Sequence, residues 1–302
     1  MSDLKSYLNP ATTFFSKEIE LGHPVHTILG NTFDKYTISK KQISPPKIFW
    51  SGERYQFHRS KIVSSIPPEI INNVLAKMTQ LNLSLSYWIE KSGYNYGAKM
   101  VLLSDRLEEK QIYNAFAFEE SIHFHEFKNM MDFTPTKETH WHPMLNVLGD
   151  VIEDGEKSTL IYVIQVLLEG FGIGHYYNLQ QDCLFTPMKE VFDRILKDEA
   201  RHHGLGVVLA KESTYSMLEK DQIFEYTREI IQAFKNANWV ESSIHELYPL
   251  STKEKIQLKE ETLFEQTINN RMIYIRELIG KANFLGLLER LEKEKAWTIP
   301  TP

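Results

Sequence analysis

The sequence predicts an all-α protein: a bundle of four long helices, preceded by an N-terminal wrapping segment and followed by further helices. Three observations predict it. Apolar residues recur at spacings of three and four in four long stretches between about residues 68 and 212, the period of a helix with one buried face. Helix-start and helix-stop residues bound those stretches, as at Ser65-Ile66-Pro67-Pro68-Glu69 and Thr134-Pro135-Thr136. Within them, one pattern of acids and histidines is written twice, the copies offset by 79 residues.

Residues 1 to about 66 carry Pro10, Pro24, Pro45 and Pro46 and no sustained helical period, so an irregular wrapping segment is expected there. The first long helix starts at Pro68, with proline in the first turn and Glu69 near the positive end of the helix dipole. Its apolar period runs from Ile70 through Leu75, Met78, Leu81 and Leu85 to Glu90, and it ends near Leu103. The second, from near Arg106 to about Met131, puts Ile112, Phe116, Glu120, His123 and Phe127 on one face. From Thr134 to about Lys157 the chain reads as the long connection between two helix pairs. That stretch contains His140-Trp141-His142, a histidine pair with no carboxylate in register, expected at the surface or in packing rather than on a metal. The third helix spans about Ser158 to Leu179. The fourth, about Thr186 to Lys211, turns Val191, Phe192, Ile195, Glu199, His202 and Gly206 inward. Amphipathic helices near 216–237, 252–279 and 281–294 then cover the bundle or form a subunit contact, as in a homodimer. One domain over residues 1–302 is expected, with its core at about 68–212 and the C-terminal helices at about 213–295.

Composition narrows the function classes. With 302 residues, 42% hydrophobic and 25% charged, the chain can bury a substantial core. A net charge of −6 without a run of Lys and Arg argues against nucleic acid or an anionic membrane as the principal partner. The single cysteine, Cys183, excludes an intramolecular disulfide, a four-thiolate zinc site and a rubredoxin-like centre. The start Met1-Ser2-Asp3-Leu4 lacks the apolar run of a signal peptide, so a cytoplasmic location is expected. The most hydrophobic window, Leu160 to Tyr177, contains Gln165, Glu169, His175 and three glycines and reads as a buried core helix.

The repeated pattern carries the chemistry. Glu120 stands three residues before His123 and Glu199 three before His202, and each pair follows a lone glutamate, Glu90 or Glu169, by thirty residues. Residues at i and i+3 share a helix face, so each pair offers one oxygen and one nitrogen to a common ion. Each glutamate interrupts apolar sequence, and a buried carboxylate without a partner costs several kcal/mol. A metal pair compensates four such carboxylates, and carboxylate with imidazole suits iron or manganese. Glu119 and His203 also stand four residues from a candidate ligand, but only Glu120 with His123 and Glu199 with His202 repeat identically; His203 aligns with Phe124. Glu119 and Asp198 are then expected to accept the second N–H of a metal-facing imidazole. Gly172, one turn beyond Glu169, leaves space for a substrate, although close helix packing also accounts for Gly170, Gly172 and Gly174.

Glu, Glu-x-x-His, Glu, Glu-x-x-His over residues 68 to 212 resembles the ferritin-like di-iron carboxylate superfamily. The string Asp198-Glu199-Ala200-Arg201-His202 resembles the Asp-Glu-x-Arg-His of its oxygenases. That resemblance implies a ferritin-like four-helix bundle holding two Fe ions, or Mn and Fe, on Glu90, Glu120, His123, Glu169, Glu199 and His202. It implies that Asp198 serves His123, that Glu119 serves His202, and that Arg201 pairs with an acid beside the site, although a solvated helix charge equally accounts for Arg201, with no catalytic residues beyond the metal ligands. The implied activity is a non-haem di-iron oxygenase or oxidase that uses O2 to hydroxylate, N-oxygenate, desaturate or cleave a small organic or carrier-bound substrate. A separate protein would supply the electrons. Phe127 stands where ribonucleotide reductase small subunits carry a radical tyrosine, which disfavours that activity. Ile195 replaces the third histidine of the distantly similar amine N-oxygenases, and Ile173 the threonine of multicomponent hydroxylases. The alternative is a ferritin-like storage or peroxide-detoxifying protein, against which stand about sixty residues before the bundle and ninety after it.

Overall fold

The computed structural model describes residues 14, 19–20, 22–38, 44–236, 238–282 and 286–294. The chain is all-α, and among the described residues only an isolated antiparallel bridge, Trp50 with Cys183, has β geometry. Helices α1 (Pro24–Phe33) and α2 (Lys61–Ser65), with a 3-10 turn at Phe57–Arg59 between them, precede the long α3 (Pro68–Leu103) and α4 (Leu107–Asn129). Two short helices, α5 (Lys137–His140) and α6 (Met144–Asp154), lead into a continuous helix made of α7 (Lys157–Leu160), a π-helical segment (Ile161–Leu168) and α8 (Glu169–Asp182). After α9 (Thr186–Glu212) come α10 (Met217–Asn236), α11 (Trp239–Leu247), α12 (Thr252–Glu261), α13 (Phe264–Lys281) and α14 (Leu287–Lys293).

Local chemistry explains the limits of the long helices. Pro68 opens α3, and at the other end the Ser104 amide and hydroxyl both donate to the Met100 carbonyl. Glu108 and Glu109 sit in the first turn of α4 and Lys128 in its last, complementing the dipole. α3 packs along α4, α8 and the π-helical segment pack on α9, and α4 also meets α9. Small residues allow the close approaches. A Cβ at Gly97 would lie 2.8 Å from Ala117 Cβ, and one at Gly206 would run into Gln165. The helix over 157–182 is apolar and long enough to cross a membrane, but Ile161 to Leu167 are all buried inside the fold.

Three expectations are corrected. The segment before residue 66 is not wholly irregular, since it contains α1, the 3-10 turn and α2, while residues 1–13 lie outside the described residues. It does wrap the bundle: Trp50 Nε1 donates to the Leu179 carbonyl at 2.8 Å, and the Leu184 amide to Phe49 O at 2.7 Å. The connection over 134–157 holds a helix, α6, which buries Met144, Leu145, Val147, Leu148, Val151 and Ile152 against α3 and α10. Pro143 caps that helix, and Gly149 lies inside it where a Cβ would come within 3.0 Å of Phe14, so both residues mimic loop punctuation. The helix expected over 252–279 is two, broken at Leu263 with φ 54°, and α11 is an additional helix. α11 and α12 carry Ile244 and Leu258 into a second apolar cluster with Val74, Leu75 and Met78 of α3. α13 lies on α8 and the π-helical segment, so one of the C-terminal helices covers the middle of the bundle.

Candidate metal centre

Glu90 of α3, Glu120 and His123 of α4, Glu169 at the start of α8, and Glu199 and His202 of α9 converge. Five of them are at most 4% exposed, and the side chain of Glu169 is 10% exposed. Their ligand-type atoms form two groups, each with all members within 4.8 Å of one another: Glu90, Glu120, His123 and Glu199, and Glu120, Glu169 and His202. Glu120 belongs to both. Sites that hold a metal pair use such a shared carboxylate as a bridge.

The imidazoles are oriented from outside this cluster. His123 Nε2 donates to Asp198 Oδ2 at 2.9 Å, and His202 Nε2 to Glu119 Oε2 at 2.9 Å, so each ring is held by an acid from the opposite helix. Both Nδ1 atoms therefore face inward. That of His123 lies 3.1 Å from Glu90 and 3.8 Å from Glu120, and that of His202 lies 3.1 Å from Glu120 and 3.9 Å from Glu169. Arg201 Nη2 donates to Glu119 Oε1 and Asp198 Oδ1, each at 2.6 Å, and joins the two outer acids. The Phe116 ring stacks on His202 with centroids 3.8 Å apart. His202 is also fixed through its backbone: Gln165 Nε2 donates to its carbonyl at 3.2 Å while accepting from Tyr113 at 2.8 Å.

Four carboxylates in one buried volume distort their own ionisation. Burial, then the charges of Glu90 and Glu169, push the Glu120 carboxyl well above the usual range. Burial and Glu169 do the same to Glu199. Burial disfavours the His123 imidazolium, but bonds to Asp198 and Glu90 outweigh it and raise the pKa to about 10. For Asp198 and Glu119 burial pushes upward, and the bonds from His123 and His202 with the Arg201 charge outweigh it, leaving both below the carboxylate norm. Glu120 Oε1 and His202 Nδ1 are buried with no hydrogen-bond partner. An orphaned acceptor and an orphaned ring nitrogen 3.1 Å apart fit a shared cation between carboxylate and imidazole.

Two further residues shape the site, and neither is among those singled out from sequence. A Cβ at Gly93 would fall 2.8 Å from Glu120 Cδ and 3.0 Å from its Cγ, closer still to Oε2, so only glycine admits the shared carboxylate. The sequence signal was present, because the offset of 79 residues that relates the glutamates also relates Gly93 to Gly172. The Tyr176 hydroxyl donates to Glu90 Oε1, a contact no local sequence pattern announces.

The three glycines of α8 divide by role. Cβ atoms at Gly170 and Gly174 would press to 2.9 Å on Leu278 and Tyr274 of α13, so these two serve packing. At Gly172 a Cβ would meet only Glu199 Oε2, at 3.6 Å, and Gly172 lines a cavity of about 690 Å³. Glu120, Glu169 and Glu199 open into that cavity, whose other walls include Leu85 and Ile89 of α3, His175 of α8 and Arg271 of α13. His203 Nδ1 lies 3.1 Å from the Gln165 carbonyl, and His203 belongs to neither group of close donors. His142 is buried and lines the cavity, His140 is half-buried, and neither joins a donor group among the described residues.

Comparison with protein-family models, with curated proteins and with solved structures finds no match to this chain.

Proposed function

We propose that this chain is a non-haem di-iron oxygenase or oxidase on a ferritin-like four-helix bundle formed by α3, α4, the 157–182 helix and α9. One observation carries the reading: a carboxylate common to two buried donor groups faces the same cavity as its neighbours Glu169 and Glu199. Glu90, Glu120, His123 and Glu199 would hold one ion, and Glu120, Glu169 and His202 the other, with iron or manganese suited to this oxygen-rich donor set. An iron pair, when bound, supplies electrons and Lewis acidity for the use of O2.

The chain's own residues do the remaining work. Asp198 and Glu119 keep the Nε2 protons in place, which fixes the tautomer and leaves each Nδ1 lone pair inward. The bonds from His123 and His202, with the Arg201 charge, hold those two acids below the carboxylate norm. The Tyr176 hydroxyl orients Glu90. Leu85, Ile89, Ile164 and Leu168 give the cavity beside the carboxylates an apolar wall for an organic substrate. A storage protein would have no use for such a cavity beside its metal donors. Electrons would arrive from a separate protein, and an organic molecule small enough for about 690 Å³ would be the substrate, free or on a carrier.

Metal analysis and oxygen uptake test the proposal together. The purified protein should bind about two transition-metal ions per chain, and Glu120→Ala and Glu199→Ala should each lose at least one. Folded variants at full occupancy would remove these residues from the donor set. A parent protein that mineralises many irons per chain and consumes no organic substrate from a cell extract would sink the oxygenase reading in favour of storage.

A further inference from the structure

We infer that the cavity takes an organic monocarboxylate, its anionic end held by Arg271 of α13 and its apolar body extending along α8 toward Glu169 and Glu199. The fate of that body rests on the oxygenase reading; the anchor does not.

Two arginines line the cavity, and they differ in commitment. Arg54 Nη1 donates to Asp182 Oδ2 at 2.6 Å and to the Asn178 carbonyl at 2.7 Å, so its charge is already met. Arg271 makes no hydrogen bond or ion pair with any described residue, and the protein packed around its side chain, with the nearby Arg54 charge, depresses its pKa. Arg271 is exposed and lines the cavity, so its guanidinium is open to a ligand there. A guanidinium with no partner among the described residues has its donors free to take up a planar anion in the cavity. His175 beside it has Nε2 buried and unpartnered. The Met144 amide donates to His142 Nδ1 at 3.1 Å, which leaves the His142 proton on Nε2.

The count of charges selects the anion. Burial and the Arg271 charge hold both imidazoles neutral, with pKa values lowered to about 4 for His142 and about 3 for His175. This end of the cavity therefore offers one net positive charge with neutral ring nitrogens around it. That matches a carboxylate, whereas a phosphate monoester would bring close to two charges. A planar guanidinium also meets both carboxylate oxygens at once. Glu120, Glu169 and Glu199 line the opposite end and are committed there as metal donors, so the anionic end of the acid is assigned to Arg271. Length follows from the helix. His175 lies six residues beyond Glu169 on α8, roughly 9 Å along the axis, the reach of a substituted aromatic acid or a medium-length fatty acid. Leu168, Phe171 and Phe234 line the way, and Gly172 keeps it open.

Calorimetric titration of protein loaded with redox-inert zinc tests the anchor without any turnover. The probes are benzoate and octanoate, their primary amides benzamide and octanamide, and phenyl phosphate. At least one acid should bind about 10- to 100-fold tighter than its amide, the margin of a charge-assisted bond. Arg271→Met should erase that margin and leave amide binding and zinc content unchanged, whereas Arg271→Lys should keep part of it. The inference is overturned if the amides bind as well as the acids, if neither acid binds, if phenyl phosphate binds tighter than benzoate, or if Arg271→Met holds the acids as the parent does. An iron-loaded protein that binds an acid through Arg271 but never oxidises it counts against the oxygenase reading alone.

Discussion

Replacing Gly93 with alanine separates the stability of the fold from the integrity of the metal centre. The new Cβ would lie 2.8 Å from Glu120 Cδ and 3.0 Å from Cγ, and nearer to Oε2, so the carboxylate must swing away. What moves is the end of a flexible side chain, which limits the damage to the fold. Alanine gains about 0.8–1 kcal/mol of helix propensity over glycine, against about 1–3 kcal/mol of overpacking. The metal-free protein should therefore lose only about 0–2 kcal/mol. Loading with metal should suffer more, because Glu120 belongs to both donor groups. If the same 1–3 kcal/mol opposes binding, affinity falls by about 5- to 150-fold. Gly172→Ala is the internal control: its Cβ would sit 3.6 Å from Glu199 Oε2, an ordinary contact, so metal affinity should hold. Thermal melts of the metal-free variants and competition titrations with Zn(II) read the two quantities separately. A Gly93→Ala protein that binds metal within about twofold of the parent, or both variants weakened alike, would refute the placement of Glu120 between two ions.

Three further outcomes follow from the electrostatics. Glu120 and Glu199 have folded pKa values raised well above 4.5, and His123 is raised from 6.5 to about 10. Each contributes stability that is fully present below its unfolded value and lost as pH rises through its folded one; the depressed His142 and His175 act oppositely, but only up to their unfolded value of 6.5, so the metal-free protein should melt at lower temperature as pH climbs from about 7 to 9. Loading must expel those protons, so Zn(II) should bind more tightly at higher pH and release protons, measurable by calorimetry in buffers of differing ionisation enthalpy; loading without release would contradict it. Asp198→Asn should keep the fold but weaken metal binding about 10- to 100-fold, because the His123 ring loses its charged anchor. Metal affinity equal to the parent's would confine Asp198 to its ion pair with Arg201.

The long helices were legible because each has a sustained period and marked ends: α3 begins at Pro68 and stops at Leu103, as expected from the sequence. α6 was not, since its Gly149 is there to admit the Phe14 ring and reads as a loop signal. The break between α12 and α13 at Leu263 carries neither glycine nor proline, so nothing local announces it. The candidate site was legible to the extent that its chemistry is periodic. Glu90, Glu120, His123, Glu169, Glu199 and His202 are brought together at the positions that the 79-residue offset relates. Tyr176, Gln165 and Arg271 reach it through tertiary packing, which the spacing of residues along one helix does not encode.

The offset that relates the donors also sets Arg201 against Ile122, a buried aliphatic residue, so the cluster is twofold in its ligands and lopsided in its charge. The donors are divided unequally as well, four around one position and three around the other. Two ions bound as proposed would then differ in affinity and fill in sequence, the four-donor position first. A chain carrying a single ion would be a discrete chemical species, open to isolation by limited metal addition and to spectroscopic study apart from the fully loaded form. Duplicated ligands, in this chain, need not mean duplicated sites.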